Sequence, residues 1–337
     1  MTLILGAHDI AALVDGIDVI AAVEAIHADL GAGRMNQPAP PTLAGGDDDS
    51  VFLPMSARSD RLGLVVVKTL ADVPANAARG LPTQRSTLLA TSAVTGECVA
   101  VLDGAAVTRH RTAAASAVAT RYLARENSRT LGLIGAGQLA VQHARAIAAI
   151  TAIEDIVVWS RSAATLDAFL DAAGPDLAKR TTIAPDPRGV AAAADIICTL
   201  TPSQAPILLG AWLRPGQHVN AVGARPRPTH RELDSEAMAR ATLVVDSAPT
   251  ALAKSGDLLE AIAEGALPPG LPLRELGAVV AGRAPGRTTE AEITVFDSVG
   301  LAAQDLALAA AVISRARETG AGEEVKLTAV VDPGMAA

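Results

Sequence analysis

Aromatic residues and cysteine are scarce in this sequence, and acidic residues outnumber basic ones. Only 2% of the 337 residues are aromatic although 50% are hydrophobic, so the core must consist mainly of Ala, Val, Leu and Ile. The net charge of −8, from 28 basic and 36 acidic residues, would repel nucleic acid and anionic membrane surfaces. We therefore expect a globular protein whose partners include neither nucleic acid nor a membrane.

The two cysteines and six histidines lack the spacing that is typical of a disulfide framework or a metal site. Cys98 and Cys198 each lie within an apolar run. We expect no metal and a reducing, cytoplasmic setting. A charge, His, Pro or Gly interrupts each apolar run before it reaches the ~20 residues of a membrane span, and residues 1–9 lack the regions of a secretory signal.

The first third of the chain has the pattern of an α+β unit. Apolar spacing predicts amphipathic helix over residues 6–30 with a break near Gly16. Short β-prone runs follow at 62–69, 86–93 and 98–102, separated by turn residues. Good helix formers then predict a helix over 111–123.

From residue 131 the pattern changes to strands alternating with helices. Helices are clearest at 139–150 and 163–172, and strands are predicted at 131–134, 156–159, 196–200, 218–222, 242–245 and 293–296. Apolar strands that alternate with helices indicate an α/β fold with a Rossmann-type doubly wound parallel sheet. A long helix after residue 299 returns the chain to the first unit. The predicted domains are a discontinuous α+β dimerisation and substrate domain, 1–112 with 301–337, and a Rossmann domain, 113–300.

A G-x-G-x-x-A motif follows the strand predicted at 131–134 and opens the next helix. Gly135 permits a tight turn, Gly137 lets the backbone approach a pyrophosphate, and Ala140 permits close helix packing. The helix N-terminus adds free N–H groups and a positive dipole end. The motif therefore predicts a dinucleotide site, the alternative being a purely structural turn.

Cofactor choice is set at the end of the following strand, where an Asp or Glu would bind the ribose hydroxyls of NAD. That position holds Ser160, Arg161 and Ser162. A guanidinium flanked by two hydroxyls suits a 2′-phosphate, so we predict NADP(H), with NAD(H) as the alternative. If Arg161 instead stacks on the adenine from a solvated loop, the preference would be mixed.

The ends of the later strands offer small residues but no obvious acid or base. A proton donor and an anion anchor should then come from Lys68, which ends an apolar strand, and Arg111, which opens a helix. The alternatives are structural. Lys68 would extend into water at a strand end, and Arg111 would pair with Asp103.

These residues lie in segments that resemble the ornithine cyclodeaminase and mu-crystallin family almost from end to end. The elements RTAAASA at 111–117 and FDSVG at 296–300 are specific to it, and further matches lie at 62–68, 103–104, 134–137, 219–224, 231–234 and 304–306. The resemblance implies a homodimer built from a Rossmann domain and an α/β dimerisation domain. The family includes ornithine cyclodeaminase, ketimine reductases, alanine dehydrogenases and opine-type enzymes.

The resemblance also implies roles for individual residues. Lys68 and Arg111 match the basic pair on the substrate side, and Arg111 also borders the cofactor. The other cofactor-binding positions, in chain order, are Thr83, Gln84, Gly135, Ala136, Gly137, Gln138, Ser160, Arg161, Ser162, Thr201, Val222 and Ser298. Among these, Ala136, Gly137 and Gln138 would contact the pyrophosphate, while Thr201, Val222 and Ser298 would surround the nicotinamide.

Two departures from the family pattern bear on the substrate. Ornithine cyclodeaminases carry a catalytic Asp in a Gly-Asp-Cys-Pro-Gly-Lys-Thr-Glu-Leu motif, but residues 223–233 here contain no Asp. This favours the mu-crystallin-like ketimine reductases, which also lack it. Family members further hold the substrate carboxylate with an Arg after a Gln-Pro pair. Residues 37–41 contain no Arg, so the anchor is incomplete unless Arg34 or Arg58 replaces it.

The resulting hypothesis is an NADPH-dependent oxidoreductase that reduces the C=N bond of cyclic ketimines such as pyrroline-2-carboxylate or piperideine-2-carboxylate. Hydride would pass to the carbon of a protonated iminium, with Lys68 relaying the proton and Arg111 pairing with the carboxylate. The main alternative is an amino-acid or opine-type dehydrogenase that reductively aminates a 2-oxo acid. An ornithine cyclodeaminase and a non-catalytic NADPH-binding protein are further alternatives.

Overall fold

The computed structural model describes residues 1–45, 49–225 and 227–327. The strands are β1 (Thr2–Leu5), β2 (Met35–Asn36), β3 (Leu43–Ala44), β4 (Val51–Ser59), β5 (Leu64–Asp72), β6 (Gln84–Ser92), β7 (Cys98–Asp103), β8 (Thr130–Ile134), β9 (Asp155–Trp159), β10 (Thr181–Ile183), β11 (Ile196–Thr199), β12 (His218–Ala221), β13 (Ala241–Val245), β14 (Arg274–Glu275), β15 (Ile293–Asp297) and β16 (Glu323–Val325). The α-helices are α1 (Ala7–Val14), α2 (Val19–Gly31), α3 (Gly104–Leu123), α4 (Gln138–Ile150), α5 (Ala163–Ala173), α6 (Pro175–Ala178), α7 (Pro187–Ala193), α8 (Ser235–Arg240), α9 (Ala248–Lys254), α10 (Gly256–Ala263), α11 (Leu276–Val280) and α12 (Ala302–Thr319). Two 3₁₀ helices span Pro74–Arg79 and Gly210–Trp212.

The chain divides into two compact units. The first comprises Met1–Asp18, Met35–Thr108 and the segment from Asp305 onward. Its sheet has the order β16-β1-β7-β6-β5-β4-β2, with β3 paired to β4. The pairs are antiparallel except β1 with β7.

One face of this sheet is buried and the other carries exposed apolar residues. Along β5, Val66 and Lys68 are fully buried, while Val67 between them is 38% exposed, as the alternation of side chains along a strand requires. Val67 lies opposite Leu89, which is 41% exposed and in turn lies opposite Val101. A row of apolar side chains therefore crosses the outer face of β5, β6 and β7.

The second unit, Val19–Arg34 with Arg109–Gln304, contains a parallel sheet of order β10-β9-β8-β11-β12-β15-β13-β14. Every pair in it is parallel. Its four central strands, β8, β11, β12 and β15, are buried except at Thr130, and they carry polar as well as aliphatic side chains. The predicted Rossmann-type α/β fold is confirmed. The strand order reverses between β8 and β11, which is where such sheets open a crevice at the carboxyl ends of the strands.

The unit boundaries differ from the expected division for residues 19–34, 109–112 and 301–304. Helix α2 belongs to the second unit because it packs closely on α11. A Cβ at Gly31 would lie only 1.9 Å from the Gly277 carbonyl oxygen. The predicted break near Gly16 is present, since α1 ends at Val14 and α2 begins at Val19.

Several elements differ from the sequence-based expectation. The helix predicted to start at residue 111 begins at Gly104, and β1, β4 and β10 were not anticipated. Within the described ranges, no helix has both the length and the apolarity required to cross a membrane.

Candidate cofactor and substrate site

The glycine motif forms the turn between β8 and α4. Gly135 has a φ of +109°, and a Cβ there would lie 2.7 Å from the Leu200 carbonyl oxygen, so only glycine fits. Gly137 is the N-cap of α4, and a Cβ there would meet nothing within 4 Å. No side chain caps this helix. Its first N–H groups are therefore open to an anionic ligand.

A cleft of about 460 Å³ lies at the carboxyl ends of β8, β9 and β11, beside this turn. It brings together six of the predicted site residues, Gly135, Ala136, Gly137, Ser160, Arg161 and Thr201. Trp159, Thr165, Leu200, Pro202, Ser203, Gln204 and Ile207 complete its lining. Gln138 lines an adjoining depression of about 310 Å³ together with Ala136 and Gly137.

The loop after β9 presents Arg161 to solvent. Its neighbours are held by local contacts, since Ser162 Oγ accepts a hydrogen bond from the Thr165 N–H at 3.3 Å and caps α5. Arg161 forms no ion pair with any residue that the structure describes. Its guanidinium is thus available to a ligand in the cleft.

Val222 and Ser298 follow β12 and β15 and do not line the cleft. The Val222 N–H donates to the Thr199 carbonyl at 3.2 Å, and Ser298 Oγ donates to Asp246 Oδ2 at 3.1 Å. Burial raises the pKa of Asp246 to about 6, although its hydrogen bonds and the Arg111 charge oppose the rise. Val222 and Ser298 nevertheless lie at the carboxyl ends of their strands, the same edge of the sheet as the cleft.

Helix α3 belongs to the second unit from Arg109 onward, and Arg111 lies near the start of this part. Arg111 is buried, with 5% of its surface exposed. Its Nη1 donates to Gln304 Oε1 at 2.7 Å. Gln304 Nε2 lies 3.1 Å from His27 Nε2. Desolvation lowers the pKa of His27 to about 4, so the ring is neutral and Nε2 accepts from the amide. This series of hydrogen bonds fixes the orientation of the Arg111 side chain.

Lys68 lies in the interior of β5 in the first unit and does not extend into water. Its Nζ donates to Thr108 Oγ1 at 2.7 Å and to both carboxylate oxygens of Asp305 at 3.2 Å. The side chains of Lys68 and Asp305 are both fully buried. A hydroxyl and a carboxylate therefore hold this ammonium in the interior of the unit.

The remaining predicted residues of the first unit are more exposed. Thr83 is half-buried, and its carbonyl accepts from the Val73 N–H at 2.8 Å. Gln84 is exposed at the start of β6. No described contact gives either residue a more specific role.

Both arginines considered as replacements for the missing carboxylate anchor are engaged at the surface. Arg34 donates to Asp29 at 2.8 Å, and Arg58 donates to Asp60 at 2.8 Å. Their side chains are 62% and 56% exposed. To hold a substrate carboxylate, either one would first have to leave its partner.

The described part of the chain contains no cluster of three or more His, Cys, Asp or Glu that could hold a metal ion.

Burial raises the pKa of Cys198 to about 12, which keeps its thiol protonated.

Residues 1–320 match the family model for the ornithine cyclodeaminase/mu-crystallin family. The chain belongs to this family. The resemblance inferred from the motifs at 111–117 and 296–300 is thereby confirmed.

Curated proteins and solved structures are similar to this chain over nearly its whole length. A Δ1-pyrroline-2-carboxylate reductase of Bacillus cereus is 34% identical over 325 residues, 96% of this chain and 99% of that protein. The structure of Thermococcus litoralis Δ1-pyrroline-2-carboxylate reductase in complex with NADH and L-proline has a TM-score of 0.92, with 32% identity over 96% of this chain and all of the other. An archaeal alanine dehydrogenase dimer with bound NAD has a TM-score of 0.89 and 29% identity, covering 97% and 99% of the two chains.

Glu232 lies behind the cleft lining, in contact with Thr201, and was not among the predicted site residues. It is fully buried, and its carboxylate accepts hydrogen bonds from Thr201 and Gly223. Burial raises its pKa to about 7, and the nearby Asp257 adds to the rise. The sequence did hold one indication of its importance, because Glu232 lies in the segment 231–234 that matches the family pattern.

Proposed function

We propose that this protein is a nicotinamide-dependent reductase that acts on the C=N bond of cyclic imine carboxylates of the pyrroline-2-carboxylate or piperideine-2-carboxylate type. The observation that carries the proposal is the cleft at the strand-order reversal, bounded by the uncapped N-terminus of α4 and by Arg161. The pyrroline-2-carboxylate reductases that share over 30% identity with this chain support the choice of substrate.

The residues of the cleft fit a dinucleotide. Gly137 leaves open space where a larger side chain would fill the approach to the α4 N–H groups, which suits a pyrophosphate. Thr201 and Ile207 add one polar and one apolar side chain to the lining of the cleft. When bound, the nicotinamide supplies the hydride for the imine carbon.

The proposed work of the protein is to hold the imine and to provide its proton. Arg111, oriented by Gln304, would pair with the carboxylate of the substrate. Lys68 would orient the imine and relay the proton. To do so, Lys68 would replace one of its two 3.2 Å hydrogen bonds to Asp305 by a hydrogen bond to the imine. The second hydrogen bond to Asp305 would keep the ion pair intact.

The direct test is NADPH and NADH oxidation, followed by absorbance, with each cyclic imine carboxylate paired with its decarboxylated analogue. We expect turnover with the carboxylates only. Equal turnover of the neutral imines would contradict the role of Arg111, and no turnover with either set would contradict the proposed function.

We further propose that NADP(H) is preferred over NAD(H). Support comes from Arg161, which lies at the cleft next to Ser160 and has no described ionic partner. Arg161→Ala should weaken NADPH binding by about tenfold or more, the value of one charge-assisted contact to phosphate, and leave NADH binding within about twofold. The T. litoralis relative holds NADH. A wild-type protein that binds NADH more tightly would refute this preference.

An amino-acid dehydrogenase is the second candidate, favoured by the similarity to the archaeal alanine dehydrogenase. It predicts oxidation of the reduced cofactor only when ammonia or another amine is supplied together with a 2-oxo acid. The same absorbance assay separates it from the imine reductase, which consumes a preformed cyclic imine alone.

We also propose that the protein forms a homodimer through the outer face of the first unit's sheet. Val67 and Leu89 are neighbours on that face and are about two-fifths exposed, as is unusual for apolar residues at the centre of a sheet. Light scattering of the wild type should give twice the chain mass. Val67→Lys should give the mass of one chain, and an unaltered dimer in this variant would refute the chosen surface. A reducing, cytoplasmic setting stays a prediction.

A further inference from the structure

One loop, residues 201–207, forms much of the cleft wall. Five of its residues line the cleft, namely Thr201, Pro202, Ser203, Gln204 and Ile207. The loop follows β11 and contains neither helix nor strand. Its position therefore depends on contacts at its two ends.

Glu232 holds both ends of this loop. Its Oε1 accepts from the Thr201 N–H and the Thr201 hydroxyl, each at 2.7 Å. Its backbone carbonyl accepts from the N–H groups of Ile207 at 2.7 Å and Leu208 at 2.9 Å. A single residue thus fixes the beginning of the loop with its side chain and the end with its backbone.

The same carboxylate connects the loop to the next strand end. Glu232 Oε2 accepts from the Gly223 N–H at 2.7 Å. A Cβ at Gly223 would lie 2.2 Å from the Thr201 nitrogen, so the two segments are in close contact. Asp257 Oδ1 in turn accepts from the N–H groups of Glu232 at 2.9 Å and Leu233 at 2.6 Å. The residue that holds the loop is therefore itself held in place.

We propose that Glu232 is a positioning residue for the dinucleotide site, acting through the 201–207 loop and Gly223 without contacting the cofactor. The inference rests on the proposed function, because it assigns the cleft to a dinucleotide. Both oxygens of Glu232 accept from N–H or O–H donors, whereas the amide of glutamine would turn an NH₂ group toward one of those donors. That variant keeps the side-chain volume and loses the side-chain hydrogen bonds either to Thr201 or to Gly223.

The experiment compares Glu232→Gln with Asp195→Asn. Asp195 is a matched control, since its carboxylate also accepts from two backbone N–H groups, those of Arg129 and Thr130, and from Arg125, but at the amino ends of the strands. NADH and NADPH dissociation constants and the KM for each dinucleotide would be measured for both variants. Hydrogen–deuterium exchange of the peptides covering 201–207 would be measured without any ligand.

We expect Glu232→Gln to raise the dissociation constant of the preferred dinucleotide by about tenfold and to speed exchange in 201–207. Asp195→Asn should change neither by more than about twofold, even with a similar loss of thermal stability. Unchanged affinity in Glu232→Gln, or an equal loss in both variants, would overturn the inference. If the wild type binds neither dinucleotide, the proposed function fails. The positioning role in the loop is then decided by exchange, which refutes it if Glu232→Gln and wild type exchange alike.

Discussion

Replacing Lys68 tests both the stability of the first unit and the proposed proton relay. Lys68→Met removes the ammonium that bridges Thr108 and Asp305 and keeps a side chain of similar length. Both partners are fully buried, so the Asp305 carboxylate would stay out of water without this ammonium. Breaking such a pair from one side costs about 3–5 kcal/mol.

A double variant removes the Asp305 carboxylate as well as the Lys68 ammonium. Lys68→Met with Asp305→Leu replaces the ion pair by two apolar side chains, and such replacement is often neutral or stabilising. We therefore expect Lys68→Met alone to lower the unfolding temperature markedly and the double variant to recover most of the loss. Chemical denaturation and differential scanning fluorimetry would measure both.

Turnover separates the structural role from the catalytic one. If Lys68 relays the proton, the double variant should remain orders of magnitude slower than the wild type although its stability recovers, and NADPH binding should be nearly intact. Full recovery of turnover in the double variant would refute the relay. A single Lys68→Met variant as stable as the wild type would refute the reasoning about the buried pair.

The remaining predictions concern the second unit. The folded-state pKa of Glu232, about 7, exceeds its ordinary value of 4.5, so the folded state binds the extra proton and stability falls as pH rises between these values. The free energy of unfolding of the wild type relative to Glu232→Gln should fall by up to about 3 kcal/mol from pH 4.5 to pH 7, and a difference that does not depend on pH would contradict the raised pKa. Gly135→Ala should destabilise the protein by about 1–3 kcal/mol, because its φ is positive and a Cβ meets Leu200. Gly137→Ala should leave the unfolding temperature unchanged and weaken NADPH binding, since its Cβ enters open space at the α4 N-terminus; unchanged binding would argue against a pyrophosphate there.

The parallel sheet was predictable because several of its strands contain short apolar runs, as in β8, β9 and β13. The predicted strands 131–134, 156–159 and 293–296 each differ from the observed strand by a single residue at one end. The glycine turn was also predictable from a local pattern. A tight turn between a strand and a helix requires glycine at Gly135, where φ is positive. In contrast, β4 was missed because Pro54 and Ser56 interrupt its apolar pattern, and α2 joined the second unit through a contact with α11 that is distant in sequence.

The environment of the charged residues could not be read from the sequence in the same way. Nothing local to Lys68 indicates that Asp305, 237 positions later, accepts from its ammonium. Glu232 likewise gains its importance from the ends of two strands that only the fold brings together. Pairing of buried charges is a property of tertiary structure, whereas strand and turn patterns are local.

The scarcity of aromatic residues makes the cleft optically distinct. The chain has two tryptophans, and one of them, Trp159, lines the cleft while Trp212 packs against the core in a 3₁₀ helix. Ultraviolet emission from the protein should therefore be dominated by these two tryptophans, of which Trp159 would adjoin a dinucleotide bound as proposed. Energy transfer from Trp159 to a reduced nicotinamide would report occupancy without any label, and a Trp159→Phe variant would separate this signal from that of Trp212.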